Sequence, residues 1–313
     1  MTLTLALSAK NASSLQQECF DSIARQTEKP DSVFLILDDV SKPLPPFLHN
    51  FAVKVLPNEG IKLFHARNTA LHRCNTDILA FTDTDCVLDE NWVRRIKNIF
   101  TEKPEAAAGT GAHPMIGRHN FSSWLHHMWF VVETKKTGYT DGVIGGNSYF
   151  RTDALKKIGG WLQVNLMAAE DVYISMKLQE AGYKIWFDDG VIARHHYKAE
   201  LLGFLRQTVM MGFDIVIMMK TAGIRNFMWY YTLCIPVLAL LMVVSVVSLP
   251  VNFYTGAICA GVILAATLVH WMIAFKSAWK GLTRWLARWV IIWPYSWGIV
   301  KGLFKNSETN RLP

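Results

Sequence analysis

A few short stretches of this 313-residue sequence concentrate side chains that can do chemistry. Asp83-Thr84-Asp85 closes the apolar run DILAFT, so two carboxylates one residue apart stand in a tight turn. Such a pair can aim at one hard cation, and Mg2+ or Mn2+ held there bridges the acids to a diphosphate. A solvated surface turn is the plainer alternative. Glu170-Asp171 opens the helical stretch AEDVYISMKLQEA, where acids often serve only the helix dipole. Asp171 becomes a general-base candidate if the fold carries it to the acceptor side of the metal. His195-His196 follows the last apolar run of the head. A cation already held by carboxylates can take one imidazole, and the composition leaves open which of the two. Arg67, beside Asn68, can neutralise phosphate or serve as ordinary helix surface.

The elements that must position these groups follow from hydrophobic pattern. Leu3 to Ser8 is a β-prone run, and Leu15, Cys19, Phe20, Ile23 and Ala24 recur at helical spacing over residues 12 to 26. SVFLILDD is a continuous apolar strand ending in Asp38 and Asp39, as burial on both faces of a parallel sheet requires. VKVLPN, a helix through HARNTALHRC and the strand DILAFT come next. This alternation predicts a doubly wound α/β head, in which ligands bind beyond the carboxyl ends of the strands. Two of those ends carry paired acids. GVIGGNSYF reads as a glycine-rich turn beside a strand, and YKIWF as a strand leading into VIARHHY. The opening MTLTLALSAKNASS has no charged region before its apolar run and reads as a first strand, not a signal peptide. Five cysteines without CxxC spacing read as small buried hydrophobes in a reducing compartment.

The tail has a different character. Between Asp214 and Glu308 there is no acidic residue, and Phe227 to Phe275 carries no Asp, Glu, Lys or Arg. Spans are expected at about 227–249 and 253–275, joined by Leu249-Pro250-Val251-Asn252, each long enough for a tilted crossing. Lys220 and Arg225 precede the first, and Lys276, Lys280, Arg284 and Arg288 follow the second. By the positive-inside rule the head is cytoplasmic, in a multi-pass cytoplasmic (inner) membrane protein. In the last apolar stretch, about 282–304, Trp285, Trp289, Trp293 and Trp297 recur every four residues beside the cation series, which favours a helix lying in the interface. A third crossing, with Lys305 and Arg311 outside, is the alternative. The formal charge of +7 therefore points to anionic lipid rather than nucleic acid. The expected domains are a head, 1–222, and a membrane anchor, 223–313.

Taken together the motifs form a series. A strand and helix ending Gln26-Thr27 precede the strand ending Asp38-Asp39, then Asn58-x-Gly60 with Ala66-Arg67-Asn68. The DxD, Gly145-Gly146-Asn147 with Gly159-Gly160-Trp161, Glu170-Asp171 and the terminal histidines complete it. In this order, over roughly residues 3 to 213, the head resembles the inverting glycosyltransferases of family 2. The resemblance implies a GT-A fold, a mixed sheet flanked by helices. It implies donor contacts from Asp38, Asp39, Arg67 and Asp83, with Asp39 meeting the base. It also implies metal contacts from Asp85, Asp83 and one of His195 and His196, with Asp171 as the base. Gly146, Asn147, Glu170 and Trp161 would stand on the acceptor side. Two features depart from the pattern. The usual aromatic of the first loop is absent around Ala9-Lys10, and the QxxRW box is absent, the nearest stretch offering Gln207 without Arg-Trp. The expected activity is therefore a single, non-processive, Mg- or Mn-dependent inverting transfer. It would move a sugar from a nucleotide-sugar donor to a membrane-associated, lipid-linked or glycan acceptor of glycolipid or cell-envelope synthesis. The rival is a catalytically inactive membrane-bound scaffold that binds nucleotide sugars.

Overall fold

The continuous apolar runs become neighbouring parallel strands. β1 (Leu3–Asn11) lies between β2 (Ser32–Asp39) and β4 (Ile78–Thr82), with Leu5 opposite both Val33 and Ala80, and β3 (Lys54–Pro57) extends the edge beyond β2. This computed structural model describes residues 1–117, 119–130, 136–197, 200–250, 252–275 and 278–305. α1 (Gln17–Ala24) begins later than the apolar spacing predicts. The reason is local: the Asn11 side chain accepts from the Ser13 N–H at 3.1 Å and holds Ala12–Ser14 in a short 3-10 turn. α2 (Lys62–Arg73) returns from β3 to β4.

After β4 the chain turns through the DxD into β5 (Cys86–Leu88), α3 (Trp92–Glu102), β6 (Ala106–Ala112) and the short β7 (Met115–Ile116). α4 (Phe121–Phe130), β8 (Gly138–Thr140), β9 (Asn147–Arg151), α5 (Thr152–Lys157), α6 (Glu170–Glu180) and β10 (Lys184–His196) follow. The sheet order is β3-β2-β1-β4-β9-β6-β10-β5, with β7 and β8 on β10. β9 is antiparallel to both β4 and β6, so the sheet is mixed, as expected. Leu3, Leu5, Leu7, Leu35, Leu37, Ile78, Trp92, Ile96 and Phe100 form the core under the strand ends. Burying each of these contributes about 1.5–3 kcal/mol. β6 is built of small residues because large ones cross it: a Cβ at Gly109 would sit 2.2 Å from the Tyr149 ring.

The chain divides into two compact units, one containing the ten strands found among the described residues with α1–α3, α5 and α6. The other contains α4 with α7 (Leu201–Ala222), α8 (Phe227–Val247), α9 (Phe253–Phe275) and α10 (Ala278–Phe304). α7, which sequence order attaches to the head, falls in this second unit because glycines let α10 press against it. A Cβ at Gly298 would lie 2.0 Å from the Val209 carbonyl oxygen, and one at Gly212 2.2 Å from that of Tyr295. Small residues spaced by four permit this approach in membrane helices. Lys220 Nζ donates to the carbonyl oxygens of Gly302, Leu303 and Lys305, so the two helices end together. α10 starts by running back along α9, where Trp285 Nε1 donates to Thr267 Oγ1 at 2.9 Å.

α8 and α9 occupy the two expected spans and expose Leu240, Leu241, Val244, Ile258 and Val262. An apolar surface this continuous calls for a non-aqueous surrounding. Among the described residues, three helical segments are long and apolar enough to cross a membrane: Leu201–Ala222, Trp229–Val247 and Phe253–His270. The first was not expected, since Arg206, Gln207 and Asp214 interrupt its apolar character. Val251, Lys276, Glu308 and Arg311 lie outside the described residues.

Candidate active site

The DxD turn sits where β4 ends, and β10 reaches it from across the sheet. Beyond an irregularity between Asp188 and Ile192, β10 pairs antiparallel with β5, placing His195 opposite Cys86. The His196 N–H donates to the Asp85 carbonyl at 3.1 Å. This register brings His195 Nε2 to 3.2 Å from Asp85 Oδ1. Side chains alternate along a strand, so His196 faces the other way, with its Nε2 3.1 Å from Glu18 Oε2 at the start of α1. The alternative that spacing left open has a geometric answer: His195, not His196, adjoins the carboxylates.

The two aspartates respond oppositely to their surroundings. Burial pushes Asp83 up, and the charge of Asp85 adds to it against the pull of Arg67 and His195. Burial alone would raise Asp85 as well, but the hydrogen bond and charge of His195 bring it below the usual carboxylate range. Burial alone would lower His195, and the Asp85 hydrogen bond and charge reverse this, so the imidazole is held above its ordinary value. An ionised carboxylate next to an imidazole, with its side chain 38% exposed, is a fit donor set for a divalent ion.

A second layer forms around Arg67. α2 buries this residue to 2% exposure, with its guanidinium 4.3 Å from the Phe81 ring centroid. Arg67 Nη2 donates to the Gly145 carbonyl at 3.1 Å and stands 3.5 Å from Glu170 Oε1. The Gly145 N–H in turn donates to Asp171 Oδ2 at 3.3 Å. Gly145 and Gly146 are the partition between the two acidic pairs. A Cβ on Gly145 would lie 2.4 Å from Glu170 Oε1, and one on Gly146 2.4 Å from Asp83 Oδ2. α6 begins after Ala169 at φ 72, a left-handed conformation that costs about 1–3 kcal/mol in a non-glycine residue. That turn aims Glu170 and Asp171 at the same guanidinium. Burial, then the charge of Asp171, pushes Glu170 up to about 8, with Arg67 offsetting part of the rise. Burial also raises Asp171, while N–H donation from Val172 and Gly145 restrains it.

The other expected site residues are placed less centrally. Asp38 accepts from Asn58 Nδ2 at 2.6 Å and from the Lys62 N–H at 3.1 Å, which binds the end of β2 to the start of α2. Lys62 itself adopts φ 68. Asp39 is partly exposed and accepts from Ser41 Oγ at 2.6 Å; that bond and the Ser41 N–H lower its pKa. Asn147 is fully buried, with its side chain engaged by Trp92 Nε1 and by the Ala112 and Val191 carbonyls. Trp161 is buried edge-on to Phe81 and Phe150, its Nε1 donating to the Glu170 carbonyl at 3.1 Å. These two side chains face the core and support the site from behind.

Sequence reasoning did not single out Cys86 or His113. Cys86 Sγ is 3.3 Å from His113 Nε2, and the His113 and His195 ring centroids are 4.8 Å apart. One ligand atom each from Asp83, Asp85, Cys86 and His195 lie within 4.8 Å of one another, as do those of Cys86, His113 and His195. The available signal was His113-Pro114 directly after the strand AAAGTGA, a polar side chain at another strand's carboxyl end.

With this geometry in view, the chain can be compared with known proteins. The model of the Glycosyl transferase family 2 matches residues 4–159. The O-antigen chain rhamnosyltransferase RfbN of Salmonella typhimurium is 26% identical over 217 residues, covering 63% of this chain and 67% of that protein. Among solved structures, the mannosyltransferase PcManGT from Pyrobaculum calidifontis, in complex with GDP-Man and Mn2+, is similar with a TM-score of 0.61. It is 16% identical, and the match covers 96% of this chain and 87% of that one. S. aureus TarS 1-349 in complex with UDP-GlcNAc gives a TM-score of 0.50 at 16% identity, covering 67% and 66%. At these identities the structural likenesses establish the fold: a curled mixed sheet flanked by helices, followed by C-terminal helices.

Proposed function

The chain belongs to glycosyl transferase family 2 and transfers sugar from a nucleotide sugar, and from that premise we propose an inverting, single-addition transfer to a lipid-linked saccharide at the membrane. The observation that carries the mechanism is the gathering of Asp83, Asp85, Glu170 and Asp171 around Arg67 and His195. Asp39 and Asp38, at the end of β2, would serve the nucleotide side, since the neighbouring ends of β1 and β4 open onto the same crevice. Asp85 and His195, with Asp83 behind them, would hold Mn2+ or Mg2+, which when bound neutralises the departing diphosphate. Arg67 keeps the two acidic pairs together without spending its charge on solvent.

Asp171 is the base in this reading. Its elevated pKa suits proton abstraction from a sugar hydroxyl, while Glu170 keeps its own proton and spares the site a second negative charge. The Gly145 N–H fixes the Asp171 carboxylate, and Gly146, where a Cβ would meet Asp83 Oδ2 at 2.4 Å, lets the Asp83 carboxylate lie against the same turn. The hydroxyl attacks the anomeric carbon as its proton passes to Asp171, and the nucleoside diphosphate leaves from the opposite face. No enzyme nucleophile is involved, so the configuration inverts.

The lipid-linked acceptor is supported by the exposed apolar surface of α8 and α9 and by the O-antigen role in the name of the Salmonella relative. Lys220 and Arg225 before α8, and Arg284 and Arg288 after α9, support the reading that both ends of the hairpin face the cytoplasm, where nucleotide sugars are supplied. The functional division proposed is a head, 1–222, and an anchor, 223–313, its boundary set after α7, although α7 itself packs within the second compact unit. A donor screen of UDP-, GDP- and dTDP-sugars with purified protein and lipid extract tests this reading. Release of nucleoside diphosphate that requires both lipid and metal is expected; release indifferent to lipid would contradict the acceptor assignment.

A further inference from the structure

The DxD turn carries donors that a hard cation does not require. Mg2+ is content with carboxylates, phosphate oxygens and water, yet here a thiol and an imidazole stand at the same carboxylates, with the His113 imidazole beside that thiol. Cys86 packs at the edge of the head's core, but its sulfur meets His113 Nε2 at 3.3 Å and the Gly146 carbonyl oxygen at 4.0 Å. A thiol that only fills space in the core has no need of these polar neighbours. With Zn–N near 2.0–2.1 Å and Zn–S near 2.3 Å, tetrahedral ligand atoms fall about 3.5 Å apart. Two pairs already approach that separation: Cys86 Sγ with His113 Nε2 at 3.3 Å, and Asp85 Oδ1 with His195 Nε2 at 3.2 Å.

We propose that this centre is a mixed oxygen, nitrogen and sulfur site that also takes a zinc-class ion, with Cys86 as a direct ligand. The proposal rests on the reading of Asp85 and His195 as metal ligands. Cys86 joins Asp85 and His195 in the first coordination sphere, with Asp83 completing four donors. On binding, the thiol proton leaves to solvent and a sulfur–metal bond forms. Four protein donors make a closed site of the structural kind. A zinc-class ion therefore blocks the positions that diphosphate oxygens need, and acts as an inhibitor of the Mg2+- or Mn2+-loaded enzyme. Zn2+ exceeds Mn2+ in affinity at most sites, so tight binding alone does not establish the ligand set. The sulfur does.

Cobalt(II) reports on sulfur directly. Reduced full-length protein in detergent is titrated with Co2+, and the near-ultraviolet thiolate-to-cobalt charge-transfer band is followed in wild type, Cys86→Ser, Cys19→Ser and Asp85→Ala. Zn2+ affinity is measured in parallel by competition with a chromophoric chelator, and circular dichroism checks folding. The band is expected in wild type and Cys19→Ser and absent from Cys86→Ser, whose Zn2+ affinity falls about 10- to 100-fold, the scale of losing even a supporting partner. If Co2+ binds in an Asp85-dependent way without the band, and Cys86→Ser binds Zn2+ as tightly as wild type, the sulfur ligand is wrong and the metal reading stands. If neither Co2+ nor Mn2+ binds, with or without nucleoside diphosphate, both are overturned.

Discussion

Glu170 gives the site a pH signature that can be read without knowing the substrate. Its carboxyl is held at about 8, against an ordinary 4.5, by burial and by the neighbouring Asp171 charge. Between those two values the folded protein keeps a proton that the unfolded chain releases, so stability is full below about 4.5 and drains away as pH rises through 8. A shift of this size corresponds to roughly 5 kcal/mol at most, at about 1.36 kcal/mol per pH unit. Asp171 and Asp83 share the same charge problem, so Glu170 alone should carry roughly half of that. Glu170→Gln imitates the protonated side chain and cannot lose it. In metal-free detergent solution, the wild-type melting temperature should fall between pH 5.5 and 8.5 by about 3–7 °C more than that of Glu170→Gln, since that window spans most of the range over which the proton is held, at roughly 2–4 °C per kcal/mol. Tryptophan fluorescence scans of both proteins across that range measure it. Parallel pH profiles, or a wild type that gains stability towards pH 8.5, would refute the assignment of the buried proton to Glu170.

Other expectations follow from the same geometry. Asp85→Ala should leave the head folded and remove the metal dependence of nucleotide binding, as titration calorimetry with and without Mn2+ would show; retained dependence contradicts the ligand assignment. Asp171→Asn should keep donor affinity within a few-fold while turnover drops by roughly 100-fold or more, the scale of a general base. In cells expressing a variant with Cys234 and Cys259 replaced by alanine, a cysteine at Asn252 should react with a membrane-impermeant thiol reagent. One at Lys305 should react only after lysis, and labelling there in intact cells would mean that α10 crosses.

Much of this arrangement was legible in the sequence, for identifiable reasons. Strands buried on both faces read as unbroken apolar runs, so SVFLILDD and DILAFT announced both the parallel sheet and the acids at its edge. The choice between His195 and His196 was hidden until β10's register on β5 was known, because alternation shows that they differ but not which faces the carboxylates. Cys86 follows the DxD directly but reads as one more core residue, and His113 reads as part of a loop; only the path of β6 beside β10 brings His113 to the DxD. Asn147 and Trp161 were marked by their motifs, yet their side chains are consumed in holding β9 and α6. α7 looked like the head's last helix because its polar residues masked a surface that the glycines of α10 press against.

The central claim is that this one cluster performs an inverting transfer with Asp171 as its base. The most direct test is the anomeric configuration of the linkage that purified enzyme forms from a configurationally defined donor, read by NMR on product made by wild type and sought with Asp171→Asn. The account predicts a new linkage of configuration opposite to the donor's, with product from Asp171→Asn reduced by roughly two orders of magnitude. A product that retains the donor's configuration, or one formed as fast without the Asp171 carboxylate, would contradict it.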